Sequence, residues 1–226
     1  MRAAIILSGG TGARMGSEIP KQYLEVSGKP IIAYCIETFE KSPEIDKILI
    51  VCADEYRTLL SGIVSDASKF AGFAYPGETR QLSILSGLNA LKEILNDDDE
   101  VIIHDAARPL VSGETLHMIS EGLQTSDAVL PVLPMKDTVY EVENGMVVSN
   151  LERSRIAAGQ APEGFRFGKY LKANEDLLPD AIKDISGSMQ PAVMAGMSIK
   201  TIPGDENNFK ITTPADLTRF EEVTCR

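Results

Sequence analysis

Short apolar runs rich in β-branched residues alternate with longer amphipathic stretches along this chain. Runs of this kind are typical of strands buried on both faces of a parallel sheet, and the stretches between them carry apolar residues at helical spacing. The predicted strands are Ala3 to Leu7, Lys47 to Cys52, Val101 to His104, Ala128 to Val132 and Ile199 to Ile202. The predicted helices are Ile31 to Glu40, Glu55 to Ala67, Arg80 to Leu95, Thr115 to Thr125 and Pro214 to Val223. The alternation predicts an α/β fold, a three-layer α/β/α sandwich around a mostly parallel sheet.

The length and the charge balance narrow the classes of protein that fit this pattern. The chain has 226 residues, 43% hydrophobic and 24% charged, so we expect a single folded domain over residues 1–226. The 33 acidic and 22 basic residues give a net charge of -11. Because this charge opposes binding to a long phosphate backbone, nucleic acid is not an expected partner. A small phosphate ligand stays possible, since a few basic residues can serve one site.

The cysteines, histidines and apolar segments bear on the compartment and on metal content. The three cysteines, Cys35, Cys52 and Cys225, are odd in number and lack metal-ligand spacing, so we expect reduced intracellular thiols. The two histidines, His104 and His117, are too few for a zinc site built from several histidines and cysteines. No apolar run approaches the roughly 20 residues of a membrane helix, and the chain begins directly with a predicted strand. We therefore expect a cytoplasmic protein without a leader and without membrane contact.

One stretch departs from the alternation and predicts a β-hairpin. Asp137 to Val142 and Met146 to Leu151 flank Asn144-Gly145, and Asn-Gly is the strongest short hairpin signal because both residues accept positive φ. We expect residues 137–151 to form a β-arm. An isolated two-stranded hairpin is marginally stable, so the arm should pack on a second copy of the chain, as in a homodimer, or back on its own domain.

A glycine-rich segment follows the first predicted strand, at the sheet edge where α/β proteins bind ligands. Residues 8–16 read SGGTGARMG, and missing side chains let backbone N–H groups approach an anion closely. The segment is a weak match to a dinucleotide-binding fingerprint, because Met15 stands where the third glycine would be. It is not a Walker A loop, since no Lys-Ser or Lys-Thr pair follows the closing glycine. The segment is therefore a phosphate cradle or a structural turn.

Two basic residues favour the phosphate cradle. Arg14 lies within the segment and Lys21 follows Pro20, so one guanidinium and one ammonium group are tethered near the same peptide N–H groups. Phosphoryl and nucleotidyl transfer depend mainly on positioning and on neutralising the charge that develops at phosphorus, which such cations supply.

Together with four later motifs, this segment resembles a signature of the cytidylyltransferases that act on sugar-alcohol phosphates. The motifs are LSGGTGARMG at 7–16 with PKQYL at 20–24, GETRQLS at 77–83, HDAARP at 104–109, DT at 137–138 and NFKIT at 208–212. The similarity spans nearly the whole chain. It is greatest to the enzymes that use 2-C-methyl-D-erythritol 4-phosphate in non-mevalonate isoprenoid biosynthesis, and ribitol-5-phosphate cytidylyltransferases are near relatives. The resemblance implies a Rossmann-like fold and nucleotidyltransferase activity.

For the nucleotide, the resemblance implies two groups of residues. The triphosphate of CTP would be held by Ser8, Gly9, Gly10, Thr11, Gly12 and Arg14. Arg14 and Lys21 would stabilise the transition state at the α-phosphorus, and Gly77, Glu78 and Ser83 would bind the cytosine. From the residues alone, the segment at 77–83 is also explained as the start of a helix near Thr79, where an acidic side chain favours the helix dipole.

For the second substrate, the resemblance implies a phosphate clamp. Arg108, Thr138, Arg153 and Lys210 would surround the phosphate, with Arg153 supplied by the β-arm of a neighbouring subunit. Ser186 keeps a hydroxyl near this substrate, and Lys210 would also take part in catalysis. Asp105 ends a buried strand and would contact the magnesium nucleotide or the acceptor's hydroxyls; a turn aspartate is the alternative.

The implied reaction joins CTP to a polyol phosphate and releases pyrophosphate. The acceptor phosphate is already anionic near neutral pH, so no general base is needed, and we expect His104 to be structural and His117 to face solvent. Mg²⁺ would bridge phosphate oxygens and need one or two carboxylates, Asp105 first and Asp205 second.

Three departures from the family pattern concern the second substrate. The usual Thr-Pro-Gln is Ala161-Pro162-Glu163, which loses a hydroxyl and adds a negative charge. The usual TDEAS is SGSMQ at 186–190, with Gly187 replacing a carboxylate, and Tyr140 stands where lysine is common. The identity of the acceptor is thus open between methylerythritol phosphate and a pentitol phosphate. A nucleotide sensor without catalysis is the alternative from another class, and intact Arg14, Lys21 and Asp105 argue against it.

Overall fold

The computed structural model describes residues 1–10 and 19–224, and a mixed eight-stranded sheet forms its centre. The predicted site residues Thr11, Gly12 and Arg14 lie outside these ranges, as does Cys225. In chain order the strands are β1 (Arg2–Leu7), β2 (Glu25–Val26), β3 (Lys29–Pro30), β4 (Lys47–Val51), β5 (Phe70–Ala74), β6 (Glu100–Asp105), β7 (Ala128–Pro134), β8 (Val139–Glu143), β9 (Met146–Leu151), β10 (Ala157–Gly159), β11 (Glu163–Arg166) and β12 (Ile199–Pro203).

The strand order places several strand ends side by side. The order across the sheet is β10, β7, β11, β6, β1, β4, β5, and β12 pairs with β7. β1 is parallel to both β4 and β6, and Leu7 pairs in register with Val51 on one side and Asp105 on the other. The carboxyl ends of β1, β4 and β6 therefore meet at one edge, which we call the carboxyl edge.

Helices cover both faces of the sheet, which confirms the predicted three-layer arrangement. They are α1 (Ile31–Lys41), α2 (Arg57–Ile63), α3 (Arg80–Leu91), α4 (Gly113–Leu123), α5 (Phe167–Glu175), α6 (Gln190–Met194) and α7 (Pro214–Thr224). Buried side chains of α1, α2 and α4 form one apolar cluster with the sheet, and those of α3, α5 and α6 form another. Within the described ranges, no helix has the length and apolar character needed to cross a bilayer.

The fold contains strands and helices that the alternating pattern does not predict: β5, β10, β11, α5 and α6. β11 lies antiparallel between β6 and β7. β11 brings Gly164 against α4, where an added Cβ would lie 2.4 Å from Cγ2 of Ile119. The predicted helix over 55–67 is shorter, with a 3-10 turn at Asp54–Tyr56 followed by α2.

The predicted hairpin is present as β8 and β9, which form a separate two-stranded sheet. Asn144 and Gly145 have φ of 49° and 79°, the backbone that the Asn-Gly pair predicts for the turn. Apolar side chains of the arm are exposed: Tyr140, Val142, Met146, Val147 and Val148. The arm thus presents apolar surface that this chain does not cover.

Candidate active site

A cavity of about 480 Å³ opens at the carboxyl edge, where the sequence predicts ligand binding. Its walls come from the segment after β1, the end of β6, the start of α3 and the segment before α7. The lining residues are Leu7, Gly9, Gly10, Lys21, Gln22, Gly77, Glu78, Thr79, Arg80, Ser83, Asp105, Ala107 and Lys210. Eight of the predicted site residues are thereby brought together: Gly9, Gly10, Lys21, Gly77, Glu78, Ser83, Asp105 and Lys210.

The start of the glycine-rich segment is held from the 3-10 turn at Lys21–Tyr23. The buried Gln22 donates from Nε2 to the carbonyl oxygens of Ser8 and Gly10, both at 2.8 Å. The Ser8 hydroxyl donates to Tyr23 Oη at 2.8 Å, so this side chain stabilises the segment instead of pointing into the cavity. A Cβ on Gly9 would lie 2.4 Å from Cβ of Pro76, which explains the glycine there. Gln22 was missed as a site residue from the sequence.

Ser83, on the first turn of α3, holds the segment before the helix in place at the cavity wall. Thr79 caps the helix, because its side chain accepts from the Leu82 amide. Ser83 Oγ accepts from the Gly77 amide at 3.0 Å and donates to the Thr79 carbonyl at 2.9 Å. The helix begins at Arg80, which agrees with the interpretation of this segment as a helix start near Thr79. Binding of cytosine by Gly77, Glu78 and Ser83 stays a prediction.

Asp105 is the centre of a cationic cluster at the floor of the cavity. Arg80 donates to Oδ1 from Nε and Nη2 at 3.1 and 3.0 Å, and Lys210 Nζ lies 2.9 Å from Oδ2. Arg108 Nε is 3.9 Å from the same oxygen. Burial alone would raise the pKa of the Asp105 carboxyl, but Arg80, Lys210 and Arg108 outweigh it and hold that pKa well below its usual range.

Arg80 is a site residue that the motif analysis did not single out. Arg80 begins α3 directly after Gly77, Glu78 and Thr79. A basic residue at the first turn of a helix, beside the predicted nucleotide-binding segment, could have identified it as a site residue. Its guanidinium shares Asp105 with Lys210, which makes these three residues one charged unit.

The loop after β6 is held by His104 and by the segment before α7. Arg108 Nη1 donates to the carbonyl oxygen of Asn208 at 2.7 Å, and Nε2 of His104 donates to the carbonyl oxygen of Arg108 at 3.0 Å. Burial lowers the pKa of His104 to about 4, so the ring is neutral at pH 7. His104 is fully buried and is not part of the cavity lining, so its contact with the Arg108 backbone fits the expected structural histidine. His117 is exposed and contacts Glu44, as expected of a surface histidine.

Glu163, one of the departures from the family pattern, is a buried carboxyl group at the start of β11. It is 8% exposed and accepts a hydrogen bond from Ser188 Oγ. Burial raises the pKa of Glu163 to about 7, against the opposing effects of Ser188 and Arg80.

Three predicted residues of the second-substrate site lie away from the cavity of this chain. Thr138 is exposed at the base of the arm, and Arg153 donates from Nη1 to the carbonyl oxygen of Lys136 at 2.9 Å. Ser186 donates to Oε1 of Gln190 at the start of α6. The chain by itself thus assembles Arg108 and Lys210 but not Thr138, Arg153 or Ser186.

The described residues offer little for direct ligation of magnesium. Over residues 1–10 and 19–224, no three His, Cys, Asp or Glu side chains are grouped as metal ligands. Both oxygens of Asp105 already contact cations, and Asp205 accepts from the Asn207 amide outside the cavity. The geometry favours Asp105 as a partner of Arg80 and Lys210, and a metal contact from Asp105 stays a prediction.

Nearly the whole chain matches a known protein family. Residues 2–225 match the family model described as "IspD: 2-C-methyl-D-erythritol 4-phosphate cytidylyltransferase". The chain is 37% identical over 218 residues to the bifunctional enzyme IspD/IspF of Bartonella bacilliformis, covering 95% of this chain and 54% of that one. It therefore spans about half the length of such bifunctional relatives.

Other relatives have a length similar to that of this chain. A 2-C-methyl-D-erythritol 4-phosphate cytidylyltransferase of Geobacter metallireducens is 35% identical, with 96% of this chain and 95% of that one covered. A ribitol-5-phosphate cytidylyltransferase of Streptococcus agalactiae is 31% identical, with 99% and 95% covered. The crystal structure of 2-C-methyl-D-erythritol 4-phosphate cytidylyltransferase from Francisella tularensis matches with a TM-score of 0.83 at 28% identity, covering 98% of each chain.

Proposed function

The chain belongs to the 2-C-methyl-D-erythritol 4-phosphate cytidylyltransferase family, and we propose that it converts CTP and 2-C-methyl-D-erythritol 4-phosphate to 4-diphosphocytidyl-2-C-methyl-D-erythritol and pyrophosphate. The observation that carries this proposal is the pairing of Arg80 and Lys210 with Asp105, beside Gly9 and Gly10 in one cavity, with Arg108 adjoining the same carboxylate. A cavity lined by a glycine backbone on one side and by paired cations on the other suits two phosphate-bearing substrates.

On the nucleotide side, Gly9 and Gly10 approach the triphosphate and Lys21 faces it from the 3-10 turn. Arg14 belongs to the same motif outside the described residues, and its role is carried by the family resemblance. Gly77, Glu78 and Ser83 form the wall against which the base lies. A pocket shaped for a pyrimidine excludes purines by steric overlap, so CTP should be preferred over ATP and GTP.

The chemistry needs no general base. An anionic oxygen of the acceptor phosphate attacks the α-phosphorus of CTP, the bond from that phosphorus to the oxygen bridging to the β-phosphate breaks, and pyrophosphate leaves with the electron pair. Lys21 and Arg14 stabilise the charge that develops at phosphorus. Neutral His104, bonded to the Arg108 backbone, is consistent with a reaction in which no histidine moves a proton.

Arg108 and Lys210 bind the acceptor phosphate in this proposal. Asp105 orients Lys210, whose Nζ lies 2.9 Å from Oδ2, and the carbonyl oxygen of Asn208 holds the Arg108 guanidinium at 2.7 Å. Mg²⁺ would be held mainly by the phosphates of CTP, with Asp105 as the carboxylate implied by the resemblance, and would supply positive charge that neutralises those phosphates, since this ion usually keeps several waters and needs few protein ligands.

The β-arm supplies the rest of the site if two copies of the chain associate. The exposed apolar side chains of β8 and β9 form a surface of the kind that marks an interface, and a two-fold dimer would bury it. Thr138 and Arg153 of the partner subunit would then complete the phosphate clamp that Arg108 and Lys210 begin. We place this homodimer in the cytoplasm, in keeping with the free thiols of Cys35 and Cys52.

Ribitol 5-phosphate is a second candidate acceptor. The Streptococcus agalactiae relative supports it, and so does Ala161, which offers no hydroxyl where threonine is usual in the family. A site that lacks a hydrogen-bonding group discriminates less between alcohols, because nothing is left unpaired when the other alcohol binds.

The test is pyrophosphate release from CTP and Mg²⁺ with a panel of acceptors. We expect release with methylerythritol phosphate, slower release with ribitol 5-phosphate, and none with a sugar 1-phosphate. Lys210→Ala should abolish most of the activity, whereas Lys92→Ala, a change of an exposed lysine outside the cavity, should not. Tight CTP binding without release for every acceptor would instead identify a nucleotide sensor.

A further inference from the structure

The cluster around Asp105 carries more positive than negative charge. Arg80, Arg108 and Lys210 all direct their ion pairs to this one carboxylate, within the part of the chain that the structure describes. One negative charge against three positive ones leaves an excess that suits an anionic ligand. Any further negative charge nearby must therefore change how strongly the cluster binds a phosphate.

Glu163 supplies such a charge from the neighbouring strand. β11 runs antiparallel to β6 and Glu163 pairs in register with Ile103, two residues before Asp105. Side chains two residues apart on a strand share a face, as do paired residues on adjacent strands, so Glu163 and Asp105 lie on the same face at the carboxyl edge. Ser188 donates its hydroxyl hydrogen to Glu163 Oε2, which fixes the carboxyl group in place.

Besides Ser188, the charged and titratable groups that act on Glu163 come from three elements. Arg80 lies at the start of α3, Asp105 and Arg108 lie at the end of β6 and in its loop, and Tyr170 lies on α5. Burial raises the pKa of Glu163 to about 7, so near neutral pH the group carries a proton part of the time. Asp105 stays ionised throughout this range, which makes Glu163 the group of the cluster whose charge varies.

We propose that Glu163 controls how tightly the site binds the phosphate of the second substrate: its negative charge weakens binding of a doubly charged phosphate at Arg108 and Lys210, and neutral Glu163 favours it. The proposal rests on the proposed function in assigning these two cations to the acceptor phosphate. Because an added anion favours protonation of a nearby carboxylate, binding of the phosphate should increase the protonation of Glu163, so the wild type should take up more protons than a variant without this carboxyl group.

The first test is calorimetric binding of inorganic phosphate to the CTP-saturated protein at pH 6 and pH 8. Glu163→Gln keeps the shape of the side chain and removes its charge. We expect this variant to bind phosphate about three- to tenfold more tightly than the wild type at pH 8, the effect of one nearby unit charge in a partly solvated site. At pH 6, where wild-type Glu163 is mostly neutral, the two should agree within about twofold. Equal affinities at pH 8, or weaker binding by Glu163→Gln at both pH values, would overturn the proposal.

The second measurement is the number of protons taken up, obtained by repeating the titrations in buffers of different ionisation enthalpy. Wild-type protein should take up more protons than Glu163→Gln at pH 7 to 8. The matched control is Ser188→Ala, which keeps the carboxyl group but removes its hydrogen-bond donor, so its affinity at pH 8 should fall between the other two. If Glu163→Gln does not fold, wild type and Ser188→Ala with the same affinity at pH 8 would contradict the proposal.

Turnover distinguishes this proposal from the proposed function. In an active enzyme, Glu163→Gln should lower KM for the acceptor at pH 8 and leave kcat and the KM for CTP unchanged, which a merely structural role would not do. Failure of pyrophosphate release with every acceptor would refute the cytidylyltransferase assignment while leaving the phosphate-binding comparison interpretable.

Discussion

The carboxyl edge and the β-arm hold their side chains in opposite ways. At the carboxyl edge, the Asp105 side chain is 11% exposed and its oxygens contact cations from three different segments. On the arm, Val142, Met146 and Val147 are 58%, 71% and 63% exposed. One chain therefore builds the charged floor of the cavity from its own contacts, whereas the arm leaves its apolar side chains exposed.

The largest expected effect concerns stability and contrasts the core with the arm. Phe165 on β11 is fully buried and stacks on Tyr170 with ring centroids 3.7 Å apart. Phe165→Ala should lower the free energy of unfolding by about 3–5 kcal/mol. Val148→Ala on the arm should change it by about 0.5 kcal/mol or less at a low protein concentration. Urea unfolding measures both, and a Val148 effect as large as that of Phe165 would mean that the arm packs on its own chain.

The next effect concerns the chemical step at the carboxyl edge. Lys21→Ala and Arg14→Ala should each lower kcat by ~10² or more, because these cations matter most as charge develops at the α-phosphorus. CTP binding should weaken much less. Single-turnover kinetics and calorimetry separate the two quantities. Wild-type turnover in either variant would remove the basis for its catalytic role.

The arm can be tested by adding charge to its apolar surface. Val142→Asp combined with Val147→Asp should yield monomers with roughly tenfold or greater loss of kcat/KM, while CTP binding is retained. Val193→Asp is the matched control, since Val193 is 61% exposed on α6, outside the arm. Light scattering and activity are measured on the same samples. A fully active monomer would show that the cavity works without a partner's arm.

The smallest effect concerns the choice of acceptor. With Ala161 and Gly187 in place of polar residues, methylerythritol phosphate should be preferred over ribitol 5-phosphate by only about tenfold in kcat/KM at saturating CTP. A preference for ribitol 5-phosphate would reverse the order of the two candidate acceptors and keep the cytidylyltransferase assignment.

The sequence predicted the parallel part of the fold because those strands carry strong apolar runs. β1 and β6 were found from Ala3 to Leu7 and Val101 to His104, and both are buried in the structure. β11 was missed because Glu163 and Arg166 flank only Gly164 and Phe165, which gives no periodicity. Burial of this strand comes from its neighbours β6 and β7, a tertiary effect that a local pattern does not contain.

The candidate site also contains residues that the sequence predicted and residues that it did not. Gly9, Gly10, Lys21 and Asp105 could be identified because they stand in motifs after predicted strands, and the structure places them around one cavity. The ion pair between Arg80 and Asp105 joins residues 25 positions apart, and no spacing rule predicts it. Gln22 was missed because its contacts are to backbone carbonyl oxygens. Every residue has such an oxygen, so no residue type in the sequence indicates this contact.

The position of β11 in the sheet has a consequence for how the chain is made. β6 pairs with β1 on one side and with β11 on the other, and all six of its residues are buried in the finished protein. During synthesis, β6 leaves the ribosome long before Glu163 to Arg166 do, so a nascent chain presents an unpaired apolar strand edge. The middle of the sheet closes only after about three quarters of the chain has emerged, and premature termination before β11 should give products that aggregate.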